Sequence, residues 1–255
     1  MKNLIATLFL MCCAILYSGC GPSYIGIRAG AEVPLESDVE FQSYIDRNNS
    51  HLTDASFGTA PYIGPSLRIG VSKRMFLLFD PALRFSQRAT MQVSEVFQGN
   101  SAGYLATITT DYSYLDLPLH FAYSFPFGDD VQLIDSTTDQ RWNAFIGLGL
   151  RPAITIKKEM TAKYHMVSSD GSPGTEVDAG MTIGNPDQLG LLNASIIAGL
   201  DWRVDGEWSV AFDARYIHSI DDGYSVQAMF DMPQDQARSY KFSTPMQRLT
   251  FSITG

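Results

Sequence analysis

Cysteine is nearly absent from this chain: its three copies, Cys12, Cys13 and Cys20, all fall within the first twenty residues. The roughly 235 residues that follow therefore hold no disulfide, and their stability has to come from packing and polar pairing. Positive charge is scarce too. The formal net charge of -9 excludes the basic footprint that a nucleic-acid-binding protein needs. Beyond the first twenty residues no stretch approaches 18 uncharged apolar residues, so a helical membrane span is excluded. The four histidines, His51, His120, His165 and His218, show no metal-ligand spacing, and the acidic pieces 128–130 and 221–223 lack the ordered ligand series of a calcium loop. Glycines alternate with other residues rather than forming a phosphate-binding loop, so neither a metal nor a cofactor is expected. A disordered tail is excluded as well, because 45% of the residues are hydrophobic and 12% aromatic.

The chain opens with Met1-Lys2-Asn3, one positive charge, followed by an apolar run from Leu4 to Tyr17. That run is too short to cross a bilayer and suits a secretory leader, so residues 1–20 are expected to be a signal peptide and residues 21–255 a single domain. Leu16-Tyr17-Ser18-Gly19-Cys20 is similar to the lipobox of bacterial lipoproteins, which makes Cys20 a lipidation candidate. A simple cleavage near the same place, leaving a free amino terminus, stays open beside it.

Eight stretches of the remaining chain alternate with period two, the mark of strands that have one apolar and one polar or small face. In the first, Ile25, Ile27, Ala29, Ala31 and Val33 alternate with Gly26, Arg28, Gly30 and Glu32. Similar alternation covers 62–71, 75–88, 114–123, 142–154, 195–203, 208–216 and 248–253. In the third stretch Asp80, Ala82, Arg84, Ser86 and Arg88 share the polar face. The connections also alternate in length. Polar segments of 34–60, 89–110, 159–190 and 219–245 follow the odd-numbered strands and read as long external loops, whereas 72–74 and 204–207 read as tight turns. Segment 126–141 is longer than a turn should be.

A soluble lipocalin-like barrel would also alternate eight times, but with its apolar residues inside. Here the polar face carries Arg28, Glu32, Arg68, Asp80, Arg84, Asp116, Arg151, Asp201, Asp213, Arg215 and Arg248 in nearly balanced charge, mixed with glycines. The other face is aliphatic and aromatic, which suits lipid, where an Arg or Lys at mid-bilayer costs about 2–4 kcal/mol. Trp142, Trp202 and Trp208 fall on that apolar face beside the short turns, with Tyr123 at the same level, and form one interfacial girdle. The expected fold is all-β: an eight-stranded antiparallel up-and-down transmembrane β-barrel in the cell outer membrane, its lumen filled by paired charges.

The segment Tyr114-Leu115-Asp116-Leu117-Pro118-Leu119 resembles a strand of the PorT-like outer-membrane β-barrel proteins, common in Bacteroidetes. Ala144-Phe145-Ile146-Gly147-Leu148-Gly149 is similar to that family's glycine-rich fifth strand, and Ile197 to Asp201 followed by Phe212 to Tyr216 to its sixth and seventh. The resemblance is loose, covers the mature chain and implies an eight-stranded outer-membrane barrel. The chain ends in Gly255, where barrels handed to the assembly machinery usually end in an aromatic residue.

For catalysis the best candidate is Arg215 to Asp222, whose His218-Ser219 pair is faintly similar to that of outer-membrane lipid A deacylases. Adjacent strand residues point to opposite faces, so the two could meet only if the strand has broken there. No enzyme is expected. The expected role is structural or an interaction made by the external loops, with outer-membrane lipids, the barrel-assembly machinery and an unidentified protein or ligand as partners. A small-solute channel is the alternative, and a lipid-modifying hydrolase a third reading.

Overall fold

The computed structural model describes residues 23–35, 40–43, 49–96, 103–126, 142–167, 173–178, 180–184, 190–203, 208–220, 224–231, 238–244 and 247–255. The leader with Cys20 and the turn expected over 204–207 lie outside them. The described elements are strands: β1 (Ser23–Pro34), β2 (Glu40–Ser43), β3 (Asn49–Phe57), β4 (Ala60–Gly70), β5 (Met75–Phe79), β6 (Ala82–Val96), β7 (Gly103–Asp116) and β8 (Leu119–Pro126). They continue as β9 (Trp142–Val167), β10 (Pro173–Asp178), β11 (Gly180–Gly184), β12 (Gly190–Arg203), β13 (Ser209–Ser219), β14 (Tyr224–Asp231), β15 (Arg238–Thr244) and β16 (Gln247–Thr254).

Antiparallel pairing runs β12-β13-β16-β1-β4-β5-β8-β9, and β9 pairs with β12 again, which closes the ring. Closure leaves no unpaired edge, the condition for a sheet to sit in hydrocarbon. Two of the eight wall strands are interrupted by proline. Pro81 separates β5 from β6 and Pro118 separates β7 from β8, because a residue without an N–H cannot continue the ladder. Pro65 lies inside β4, in the stretch between its pairing with β6 at Tyr62 and Ile63 and its pairing with β5 from Leu67. Its missing donor therefore falls opposite the break at Pro81. Gly64 is required at the same place: a Cβ there would collide with the Pro81 carbonyl oxygen and lie 2.7 Å from the Ala82 Cα.

Strand β6 changes face part-way. Between Arg84 and Gln87 the register of β6 against β7 shifts, and Ser86 takes a left-handed backbone conformation with φ 46°. The extra residue of this bulge reverses the alternation. Arg84 and Gln87 both point inward, whereas Ser86 and Arg88, expected on the lumen face, lie on the exposed side.

The segments read as external loops contain regular structure. Beyond the barrel β6, β7 and β9 continue as a sheet, joined by β3 and β10 in the order β3-β6-β7-β9-β10. Its inner face, continuous with the lumen face of β7, buries Ala89, Met91, Val93, Ala106 and Ile108. Its outer face carries Ser56, Thr90, Thr109 and Thr161 in one register row. A second sheet has the order β11-β14-β15-β2, with Phe242 of β15 fully buried. These strands look like loops in sequence because their outer face is Ser, Thr and charge rather than aliphatic. β-Branched threonine nevertheless favours the extended backbone.

Candidate functional site

The wall separates two environments in inverted order. Ile27 is 66% exposed and Leu148 65% exposed in mid-strand, while Glu32, Arg84 and Arg248 are no more than 1% exposed. Buried charge within and bare aliphatic surface without is the reverse of a soluble barrel, and it fits a wall facing lipid. The apolar exterior gives way beyond the barrel to a polar row of Arg88, Asp111 and Glu159. There the Arg88 Nε donates to Asp111 Oδ1 at 3.1 Å, and that hydrogen bond raises the pKa of Arg88.

Eleven of the charged residues that alternation places on the polar face pair inside the ring of strands, in three groups, whereas Arg88 points outward. Toward the external end, Arg84 donates from Nη1 to Glu32 Oε1 at 2.7 Å and from Nη2 to Asp116 Oδ2 at 2.5 Å. Arg151 donates to the same Asp116 oxygen at 2.5 Å and lies 2.9 Å from Glu32 Oε2. Arg248 pairs with Glu32 at 3.3 Å and donates to Asn193 Oδ1 at 2.6 Å, an oxygen that also accepts from the Ser219 hydroxyl. Three guanidinium groups thus surround two carboxylates.

The middle group is neutral. Arg215 bridges Asp80 at 2.5 Å and Asp213 at 2.7 Å, and Arg28 reaches Asp213 at 3.3 Å while donating to Ser252 and to the Tyr62 hydroxyl. Ser66 completes Asp80, and Ser252 completes Asp213. Between the two groups is a cavity of about 10 Å³, lined by Arg28, Tyr62, Asp116, Arg151 and Arg215 among others. That is about the space of one water molecule.

Nearer the end that carries the 71–74 turn, Arg68 donates to Asp201 Oδ2 at 2.5 Å, with its guanidinium carbon 3.7 Å above the Phe76 ring. An apolar cluster of Phe76, Leu78, Ala122, Phe145 and Ile197 packs beside it. Sequence reading did not identify Asn193, Ser66, Ser252 or Tyr62 as members of these networks. Their small or neutral side chains share the inward parity of the charges, which is the signal that could have found them.

On the outside, Trp142 and Trp202 face each other in register and stack with ring centroids 5.5 Å apart and planes 10° from parallel. Tyr123 packs edge-on against Phe125 at 4.7 Å and accepts a hydrogen bond from Arg74 in the turn. Trp208 lies at the start of β13, largely exposed.

Two serine–histidine juxtapositions occur among the described residues. Strand β13 runs unbroken through His218 and Ser219, so His218 points outward while Ser219 is buried on Asn193. His120 Nε2 does lie 2.7 Å from Ser195 Oγ, but both residues are buried in the wall. The Nδ1 of His120 has no hydrogen-bond partner among the described residues. No described residue orients this histidine as a catalytic one needs.

No family model matches the chain, and no curated protein matches it. Among solved structures it is similar to the outer membrane protein OprG from Pseudomonas aeruginosa, at 12% identity over 92% of this chain and 95% of that one, with a TM-score of 0.46. It is also similar to Neisserial surface protein A, NspA, at 10% identity over 90% and 98%, with a TM-score of 0.27. The translocator domain of the autotransporter NalP from Neisseria meningitidis matches at 10% identity over 99% and 96%, with a TM-score of 0.33. What makes this chain an outer-membrane β-barrel is its own closed ring of strands, its lipid-compatible exterior and its ion-paired interior.

Proposed function

We propose that this outer-membrane barrel is closed by its own side chains and acts structurally or through an interaction made outside the membrane. The observation that supports this is the double layer of arginine–carboxylate pairs across the lumen, with only about 10 Å³ between the layers. A ring of eight strands is just wide enough for side chains to fill, and here each inward guanidinium is held by a carboxylate. Permeation through it would need several buried pairs to part together. The strands β3, β6, β7, β9 and β10 present a polar, hydroxyl-rich face beyond the barrel, and that face is where a partner protein or ligand would be met.

The same reading includes export by the leader 1–20, with Cys20 as a lipidation site, insertion by the barrel-assembly machinery and contact with outer-membrane lipids along the aliphatic face. Affiliation with the PorT-like barrels of Bacteroidetes belongs to it too, resting on the Tyr114 to Leu119 segment. The deciding experiment is planar-bilayer recording of the purified barrel, after unboiled and boiled samples have shown the migration shift of a closed barrel. A silent bilayer is the expected outcome. Regular unitary steps would overturn the closed-lumen reading in favour of a small-solute channel.

A further inference from the structure

Below the ionic layers the described residues leave part of the lumen unfilled. A cavity of about 290 Å³ opens at the barrel end that carries the 71–74 turn, bounded by the first residues of β1 and β13 and the last residues of β12 and β16. Its charged groups are Arg68, Asp201 and Asp213, and its apolar walls include Phe76, Leu78 and Phe145. The volume sits at the lower edge of the range of small-molecule pockets, and apolar walls with a few convergent polar groups are their usual make-up.

The charges in this vestibule are unequally engaged. Arg68 is neutralised by Asp201 and covered on one face by the Phe76 ring, so its positive charge is already satisfied. Asp213 is held from behind by Arg28, Arg215 and Ser252. Asp201 is the exception. It uses Oδ2 for Arg68, while Oδ1 is itself buried and has no hydrogen-bond partner among the described residues, so the carboxylate has to turn to present it to a ligand in the cavity. A buried carboxylate oxygen without a donor is costly, and a charged donor is the group that offsets the cost best. An anion would meet two carboxylates and an arginine that is already paired.

We propose that this vestibule is a binding site for a small organic cation with an apolar body, its ammonium group donating to Asp201 and its body lying against Phe76, Leu78 and Phe145. Aromatic faces beside a cation add to the attraction, and the acidic chain as a whole, at -9, draws cations toward it. This inference concerns the opposite end of the molecule from the external strands and does not depend on what those strands bind.

The test uses the full-length barrel in detergent micelles, titrated calorimetrically with three probes that share one body: phenethylammonium, 2-phenylethanol and phenylacetate. Phenethylammonium is expected to bind saturably, at least tenfold tighter than the alcohol, with phenylacetate weakest. Asp201→Asn should remove that preference. Ala211→Phe, which fills the cavity from the strand position paired with Asp201 and leaves every charged residue in place, should abolish saturable binding, and it carries the test if Asp201→Asn does not fold. Heat-modifiable migration checks that each variant is a closed barrel. Equal binding of the three probes, no saturable binding of phenethylammonium, or binding that Ala211→Phe leaves unchanged would overturn the proposal.

Discussion

Arg84 and Glu32, 52 residues apart in the chain, meet inside the barrel at 2.7 Å with their side chains 1% and 0% exposed. Glu32 is the anion on which Arg84, Arg151 and Arg248 converge, so its charge offsets more cationic character than any single pair suggests. Removing one member of a buried pair costs about 3–5 kcal/mol, because the remaining charges lose their compensation.

Glu32→Gln is therefore expected to destabilise the barrel by about 3–5 kcal/mol. Asp111→Asn, which removes the partner of the exposed Arg88, should cost under about 1 kcal/mol. Urea unfolding in lipid vesicles followed by tryptophan fluorescence compares the two. Equal midpoints for both variants would show that the lumen pair contributes no more than a surface pair.

The layered charges also make a prediction about conductance. Replacing Arg84 and Asp116 together by alanine removes a neutral pair from the outer layer and leaves Glu32 with Arg151 and Arg248. The double variant should show small, regular current steps in planar bilayers where the unaltered chain is silent. If the variant migrates as a closed barrel and stays silent, the middle layer of Arg28, Asp80, Asp213 and Arg215 is sufficient by itself to block the lumen.

Leu148 tests the lipid face. It projects from β9 between Trp142 and the Arg88–Asp111–Glu159 row, so Leu148→Arg should cost about 2–4 kcal/mol for a cation placed in hydrocarbon. Thr161→Arg lies on the same outward side of the same strand but beyond the Arg88–Asp111–Glu159 row, and should change stability by less than about 0.5 kcal/mol. Folding equilibria in vesicles measure both. A cost at Leu148 as small as that at Thr161 would contradict burial of this face in lipid.

The stacked pair of Trp142 and Trp202 ties the start of β9 to the end of β12. A double-mutant cycle with alanine at each position should return a coupling of about 0.5–1.5 kcal/mol. Coupling indistinguishable from zero would mean that each ring contributes only through its own contact with the interface.

Much of this architecture is legible in the order of residues. Strict period-two alternation fixes, for each wall strand, which side chains share a face, and it groups Arg28 with Glu32 and Asp213 with Arg215 before any pairing is known. The sign of the two faces, charge on one and aliphatic surface on the other, is also a property of the sequence. Alternation is less informative where both faces are polar or small, which is why β3 and the outer halves of β6, β7 and β9 read as loops. It fails at Ser86, where one inserted residue reverses the faces without altering composition.

The sequence by itself determined that the wall strands alternate and which face of each carries the charges, because the pleat of a strand is a local property with period two. Tertiary structure alone decided which charges meet. Arg248 finds Glu32 across 216 residues and Arg28 finds Asp213 across 185, since partners in a closed barrel are chosen by shear, closure and height along the axis. It also decided that the lumen is closed in its upper part and open near the 71–74 turn, because a cavity is what side chains from many strands leave unfilled together.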